Sequence, residues 1–228
     1  ALAGGGRNPR PGEITLAHRG VLFLDEMPEF SRRSLEILRQ PLEDKVIRIS
    51  RVYGTYDFPA DFMLCAAMNP CPCGHYPDMN RCRCTPAQVM QYLGRISQPL
   101  LDRLDLCAEV SPVDFEGLSS GRKGESTQTI RERVICAQDI QRERYKIEGI
   151  QFNGELSGAQ IEKYCKMEKD ARQLLKMAFQ NMPFSARAYH RILKVARTIA
   201  DMEATESIHR HHIAEALSYR AFDKKYWN

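Results

Sequence analysis

The chain has 228 residues, 43% hydrophobic and 27% charged, enough for one large domain or two small ones around a buried core. No apolar run approaches the roughly 20 residues needed to span a bilayer, and the opening Ala1-Leu2-Ala3-Gly4-Gly5-Gly6 is no signal peptide and reads as the interior of a longer protein. The net charge of +4 permits a polyanionic partner without demanding one, and eight cysteines, four of them bunched between Cys71 and Cys84, suit a reducing cytoplasm with one metal site better than a secreted disulfide scaffold.

Taken in chain order, the first half alternates strands and helices. Gly20 to Leu24 is a continuous apolar run ending in Asp25-Glu26, the pattern of a parallel strand buried on both faces. Ser31 is placed to cap a helix on which Leu35, Leu38 and Leu42 recur at helical spacing. Val46 to Arg51 and Thr55 to Phe58 flank Gly54 as a hairpin. Phe62 to Asn69 is a second buried strand, and Leu106 to Val110 is expected to be a third. Gly117 to Gly124 is polar and glycine-rich, does not spell G-x-x-x-x-G-K-[ST], and reads as a linker over 117–126. From Thr127 the pattern turns helical, with a capping box at Ser157 and an apolar stripe of Ile192, Val195, Ile199 and Met202. The fold class is therefore an α/β half-domain over 1–116 followed by an all-helical domain over 127–228.

Val21 to Glu26 has the form of a Walker B strand. A carboxylate at the C-terminal edge of a parallel strand can hold Mg2+, and the next can orient an attacking water. A buried strand ending in two solvated acids competes with that reading until its company is counted. The Phe62 strand ends in Asn69, and Pro99-Leu100-Leu101-Asp102-Arg103-Leu104-Asp105-Leu106 and Ser185-Ala186-Arg187 follow in order. Taken singly, Arg103 reads as a surface ion pair with Asp102 or Asp105, and Arg187 as an ordinary helix-start arginine.

Together with Pro11 to His18 and Asn69-Pro70-Cys71-Pro72-Cys73-Gly74, these segments resemble the magnesium-chelatase-like AAA+ ATPases of the YifB/ComM group, over nearly the whole chain. The resemblance implies a partial AAA+ parallel sheet with flanking helices and a helical lid. It also implies ATP and Mg2+ as cofactors and a hexameric ring. Asp25 becomes the Mg2+ ligand, Glu26 the residue that positions water, and Asn69 the γ-phosphate sensor. Arg103 becomes a finger acting on a neighbour's nucleotide, and Arg187 the lid arginine. The group is associated with branch migration, so single-stranded or branched DNA is the implied partner, with no membrane involvement. A motor that drives metal insertion into a porphyrin is the alternative. The family's phosphate-binding loop and the protease-like domain ahead of it have no counterpart here, so this stretch alone is expected to hydrolyse no ATP. A sheet lacking those elements should expose apolar edge and self-associate.

Cys71-Pro72-Cys73 and Cys82-Arg83-Cys84 bracket an eight-residue loop whose Gly74, Pro77, Asp78 and Asn80 favour a turn. Four thiolates on one short loop suit a closed, structural, tetrahedral Zn2+ site. Reduced thiols and disulfides are the competing readings, and His75 is a possible substitute ligand. Lys45, Arg48 and Arg51 on the hairpin resemble pore-facing cations that track a phosphate backbone, against an ordinary solvated hairpin. The segment Gly4 to Pro11 resembles part of an insertion that is also pore-facing in the family and is expected to be disordered. His209, His211 and His212 lack the i, i+4 spacing of a helical metal site and read as a polar helix start.

Overall fold

The computed structural model describes residues 2–6, 8–111, 119, 124–181 and 184–220. The chain divides into two compact units at Leu104/Asp105. Most of the predicted linker, including 120–123, lies outside the described residues.

The first unit is built on a parallel pair of strands, β1 (Val21–Leu24) and β4 (Met63–Ala66), in register Val21↔Met63 to Leu24↔Ala66. Between them come α2 (Arg32–Glu36), α3 (Arg39–Asp44) and an antiparallel hairpin of β2 (Val46–Arg51) and β3 (Gly54–Pro59). A short α1 (Glu13–Leu16) precedes β1, and α4 (Pro86–Leu93) and α5 (Gln98–Leu101) follow β4. Leu22 and Leu24 pack with Leu35, Leu38, Ile47, Ile49, Leu100 and Leu101 in one core. On the hairpin Ile47 and Ile49 are buried while Arg48 and Ser50 face out, the two-residue period of a strand with one covered face.

Four expectations are corrected. β1 is covered on one face only: Val21 and Phe23 stand 58% and 57% exposed, and Met63 of β4 is likewise exposed. The helix after Ser31 is two short helices. Ser31 Oγ accepts the Ser34 N–H as expected, but α2 ends at Glu36, and Lys45 closes α3 in the left-handed region at φ 57°. Leu106 to Val110 forms no strand. It is irregular chain within the second unit, held by the Cys107 N–H donating to the Tyr219 carbonyl, with Val110 90% exposed and so no apolar surface to bury. The N-terminal segment, expected to be disordered, holds a bridge in which Gly5 and Arg10 exchange two backbone hydrogen bonds of 3.1 Å. Gly4 makes that turn possible: its φ is +81°, and a Cβ there would lie 2.1 Å from the Arg10 carbonyl oxygen.

The second unit is helical: α6 (Thr127–Arg144), α7 (Gly158–Tyr164), α8 (Lys169–Asn181), α9 (Ala186–Met202) and α10 (Arg210–Ser218). The Ser157 capping box forms, its Oγ accepting the Gln160 N–H while the Gln160 side chain accepts the Ser157 N–H. The buried stripe of α9 is Ala188, Ile192, Leu193, Ala196 and Ala200, with Met202 left 43% exposed. Of the expected stripe, Ile192 is buried and Val195 and Ile199 pack partly buried against the same core, so that only Met202 departs from it. At the centre Asp201, 1% exposed, accepts hydrogen bonds from Arg144, Arg197 and Asn153. Arg197, fully buried, also donates to the Thr205 and Glu206 carbonyls.

Candidate functional site

The parallel register brings the ends of β1 and β4 to one edge. The ladder continues past the strands, with the Ala67 N–H on the Leu24 carbonyl at 2.9 Å and the Met27 N–H on the Ala67 carbonyl at 3.0 Å. Asp25 and Glu26 thus emerge beside the segment that ends in Asn69, and all three side chains are exposed. The Glu26 N–H donates to Asp25 Oδ1 at 2.9 Å. Glu26 sits at φ 48°, ψ 47°, a left-handed conformation a side-chain-bearing residue holds at a cost of order 1 kcal/mol or more. The following turn, Met27–Glu29, buries Met27 and Pro28 and so fixes where the two carboxylates leave the sheet. Arg95 clamps that turn from outside, donating to the Pro28 carbonyl at 2.7 Å and pairing with Glu29 at 3.2 Å. Sequence reading missed Arg95; its position two residues after α4 carried no periodic or motif signal.

Arg103 is held inside the first unit. Its side chain is 9% exposed, and the guanidinium donates to the Arg39 carbonyl at 3.1 Å and the Pro99 carbonyl at 2.7 Å, and pairs with Glu43. The alternative partners are otherwise engaged: Asp102 accepts from Gln98, and Asp105 pairs with Arg191. Arg187 lies on the second unit, exposed in the first turn of α9, whose cap is Ser185 Oγ accepting the Ala188 N–H.

The loop after Asn69 gathers all four cysteines of the cluster. Sγ separations are 3.4 Å for Cys71–Cys73, 3.8 Å for Cys71–Cys82 and 3.6 Å for Cys73–Cys82, and the four sulfurs lie within 4.8 Å of one another. Tetrahedral thiolates at a Zn–S distance of about 2.3 Å stand about 3.8 Å apart, so the donor set fits zinc. No disulfide forms among the eight cysteines, and His75 is not among the clustered ligands. Backbone N–H groups of His75 and Arg83 lower the Cys73 thiol to about 6. Cys84 is pushed up to about 12, first by desolvation and then by its sulfur neighbours. At Cys82 a backbone N–H from Cys84 favours the thiolate, but burial and the contacts with Cys73 and Cys71 outweigh it and the net shift is upward. One thiolate among four thus suppresses the next, a conflict that a dication resolves. The cluster rests on α4, where Cys71 is fully buried with Val89, Tyr92 and Leu93. A Thr85–Gln88 capping box starts that helix.

The histidine group is a helix cap. His212 Nδ1 accepts the His209 N–H at 2.9 Å, which leaves the proton of a neutral ring on Nε2, facing Glu203 at 2.9 Å. His211 Nε2 meets the same carboxylate oxygen. His212 therefore offers no lone pair toward Glu203 for a metal to use.

On the hairpin, Lys45 pairs with Asp61 at 3.1 Å, and Arg48 with Asp57 through two bonds of 2.9 and 3.1 Å. Arg51 donates instead to the Ser50 and Gly6 carbonyls, at 2.9 and 3.4 Å.

A small parallel sheet with flanking helices, carrying an acidic strand end beside a polar one and followed by a helical unit, has the architecture of a partial α/β domain with a helical part. Residues 1–118 match the family described as magnesium chelatase, subunit ChlI, and residues 124–220 match its C-terminal region; the chain belongs to this magnesium chelatase family. It is 48% identical to the YifB protein of Salmonella typhimurium over 98% of its own length and 44% of that relative. It is equally 48% identical to the competence protein ComM of Haemophilus influenzae, over 97% of itself and 43% of ComM. The YifB protein of Escherichia coli is 46% identical over 98% and 44%. The chain thus spans less than half the length of the curated relatives it matches. No helix among the described residues is long and apolar enough to cross a membrane.

Proposed function

We propose that the chain is part of a cytoplasmic, hexameric ATPase motor that couples ATP hydrolysis to remodelling of single-stranded or branched DNA. The observation that carries this reading is the pair Asp25–Glu26 at the same sheet edge as Asn69, within a chain of this family. In the proposed site Asp25 holds the Mg2+ of Mg-ATP, which supplies charge neutralisation at the phosphates. Glu26 orients the attacking water from a left-handed backbone position at the end of its strand. Asn69 reads the γ-phosphate. Arg103 acts on a neighbour's nucleotide and Arg187 serves as the lid arginine. For Arg103 this role requires release from Glu43 and the two carbonyls, so the finger would be sheathed until subunits meet. Cys71, Cys73, Cys82 and Cys84 hold one structural Zn2+ that braces the loop behind Asn69.

The test is a mixing experiment on the intact protein. Glu26→Gln and Arg103→Ala are each expected to abolish hydrolysis, and mixed rings are expected to regain part of it, because one variant supplies the finger and the other the water-positioning carboxylate. Mixtures as inactive as the separate variants would refute an action in trans. The family's own description favours a second reading, a motor that drives Mg2+ into a porphyrin. Hydrolysis stimulated by DNA supports the first; indifference to DNA together with capture of a porphyrin-binding partner supports the second.

A further inference from the structure

The stem of the β2–β3 hairpin is close to electrically neutral on its outward face, where Arg48 faces Asp57 and Ser50 faces Thr55. The tip is different. The register closes at Arg51↔Gly54, leaving a two-residue turn in which Val52 is 95% and Tyr53 96% exposed. An aromatic ring held in water at the end of a fully paired hairpin is presented at little entropic cost, since the backbone beneath it is already fixed. Two arginines without a carboxylate partner among the described residues lie at the closing end of the hairpin and on the loop that this end touches. Arg51 is oriented by the Gly6 and Ser50 carbonyls, which leave its charge intact, and Arg10 is held on the adjoining loop by the Gly5–Arg10 bridge.

We propose that Tyr53 stacks on an unpaired nucleobase while Arg51 and Arg10 meet the flanking phosphates, so that the tip of the hairpin, rather than its stem, is the contact with the nucleic acid. The inference rests on the DNA reading above and narrows it. Stacking suits a motor indifferent to sequence, because every base has a π face and none need be read by its edges. Lys45 and Arg48, already paired with Asp61 and Asp57, take no leading part.

Fluorescence anisotropy of the intact protein with a single-stranded oligonucleotide and an abasic strand of equal length separates the outcomes. Tyr53→Ala is expected to weaken binding about 5- to 100-fold with the salt slope unchanged. Tyr53→Phe should bind as wild type does, and the abasic strand should bind wild type and Tyr53→Ala alike. Arg51→Ala should reduce the salt slope by about one, and Arg48→Ala should leave it nearly unaltered. A Tyr53→Ala protein that binds as tightly as wild type overturns the stacking while the DNA reading stands. If wild type shows no salt-dependent binding, both fall. If Tyr53→Ala keeps DNA but loses an unstructured polypeptide, the tip grips protein instead and the inference is overturned. Tyr53 touches no core, so the variant tests the contact and not the fold.

Discussion

Replacing Arg103 by alanine should destabilise the first unit as well as silence any action on a neighbour. Three acceptors lose their donor: the part-buried Arg39 carbonyl, the Pro99 carbonyl near solvent, and Glu43, which is 44% exposed. Leaving the Arg39 carbonyl unsatisfied costs about 1–3 kcal/mol, and the Pro99 carbonyl, which water can reach, about 1 kcal/mol. The pair with half-exposed Glu43 adds less than about 1 kcal/mol. The expected total is about 2–5 kcal/mol, which for a unit of this size corresponds to a melting shift of roughly 8–40 °C. Thermal unfolding followed by circular dichroism, with Arg103→Lys alongside, measures it. Lysine should recover only part of the loss, since one ammonium cannot span the carbonyls and the carboxylate as a planar guanidinium does. A shift below 2 °C for the alanine variant would refute the reasoning, and would mean that Arg103 is held too weakly to be called sheathed.

Protein purified without added metal should carry about one zinc per chain by elemental analysis, and Cys71→Ser should lose both the metal and the packing of α4; a metal-free, equally stable protein would count against the site. Asp201→Asn should destabilise the helical unit by about 3–5 kcal/mol in urea, because it leaves the buried Arg197 and the part-buried Arg144 without a counter-charge. Lys163, Tyr164 and Gln160 together hold the Glu148 carboxyl at about 2, against an ordinary 4.5. A lowered folded-state value means that its contribution is present above about pH 4.5 and drains away as pH falls toward 2. An NMR titration should therefore place the Glu148 midpoint well below those of other glutamates, and Lys163→Ala should raise it.

Much of the site could be read because its chemistry is local. Asp25 and Glu26 announce themselves at the end of an apolar run, the cysteine pairs by spacing, and Ser31 and Ser157 by cap chemistry within three residues. The hairpin was legible because Ile47 and Ile49 alternate with Arg48 and Ser50. What escaped depends on partners far along the chain. Nothing near Arg103 points to Glu43, sixty residues earlier, and nothing near Arg95 points to the turn at Pro28. Leu106 to Val110 has the composition of a strand, but β propensity expresses a half-buried pleated surface, and that segment meets none. The stem cations were legible as charges, whereas their neutralisation by Asp57 and Asp61 emerges only from cross-strand register and chain return.

Cys71 stands two residues beyond Asn69 and is locked against Tyr92 of α4. The next turn of chain supplies Arg95, which reaches back to Pro28 and Glu29, immediately after the carboxylates. The Met27–Ala67 hydrogen bond closes the circuit. The two strand ends are thus tied to each other both directly and the long way round, through the sulfur cluster. A metal held by the four cysteines would therefore also set the geometry of the edge that carries Asp25, Glu26 and Asn69. In the proposed site, a cell that withheld zinc from this loop would leave Asp25, Glu26 and Asn69 in the chain and yet detune the spacing between them.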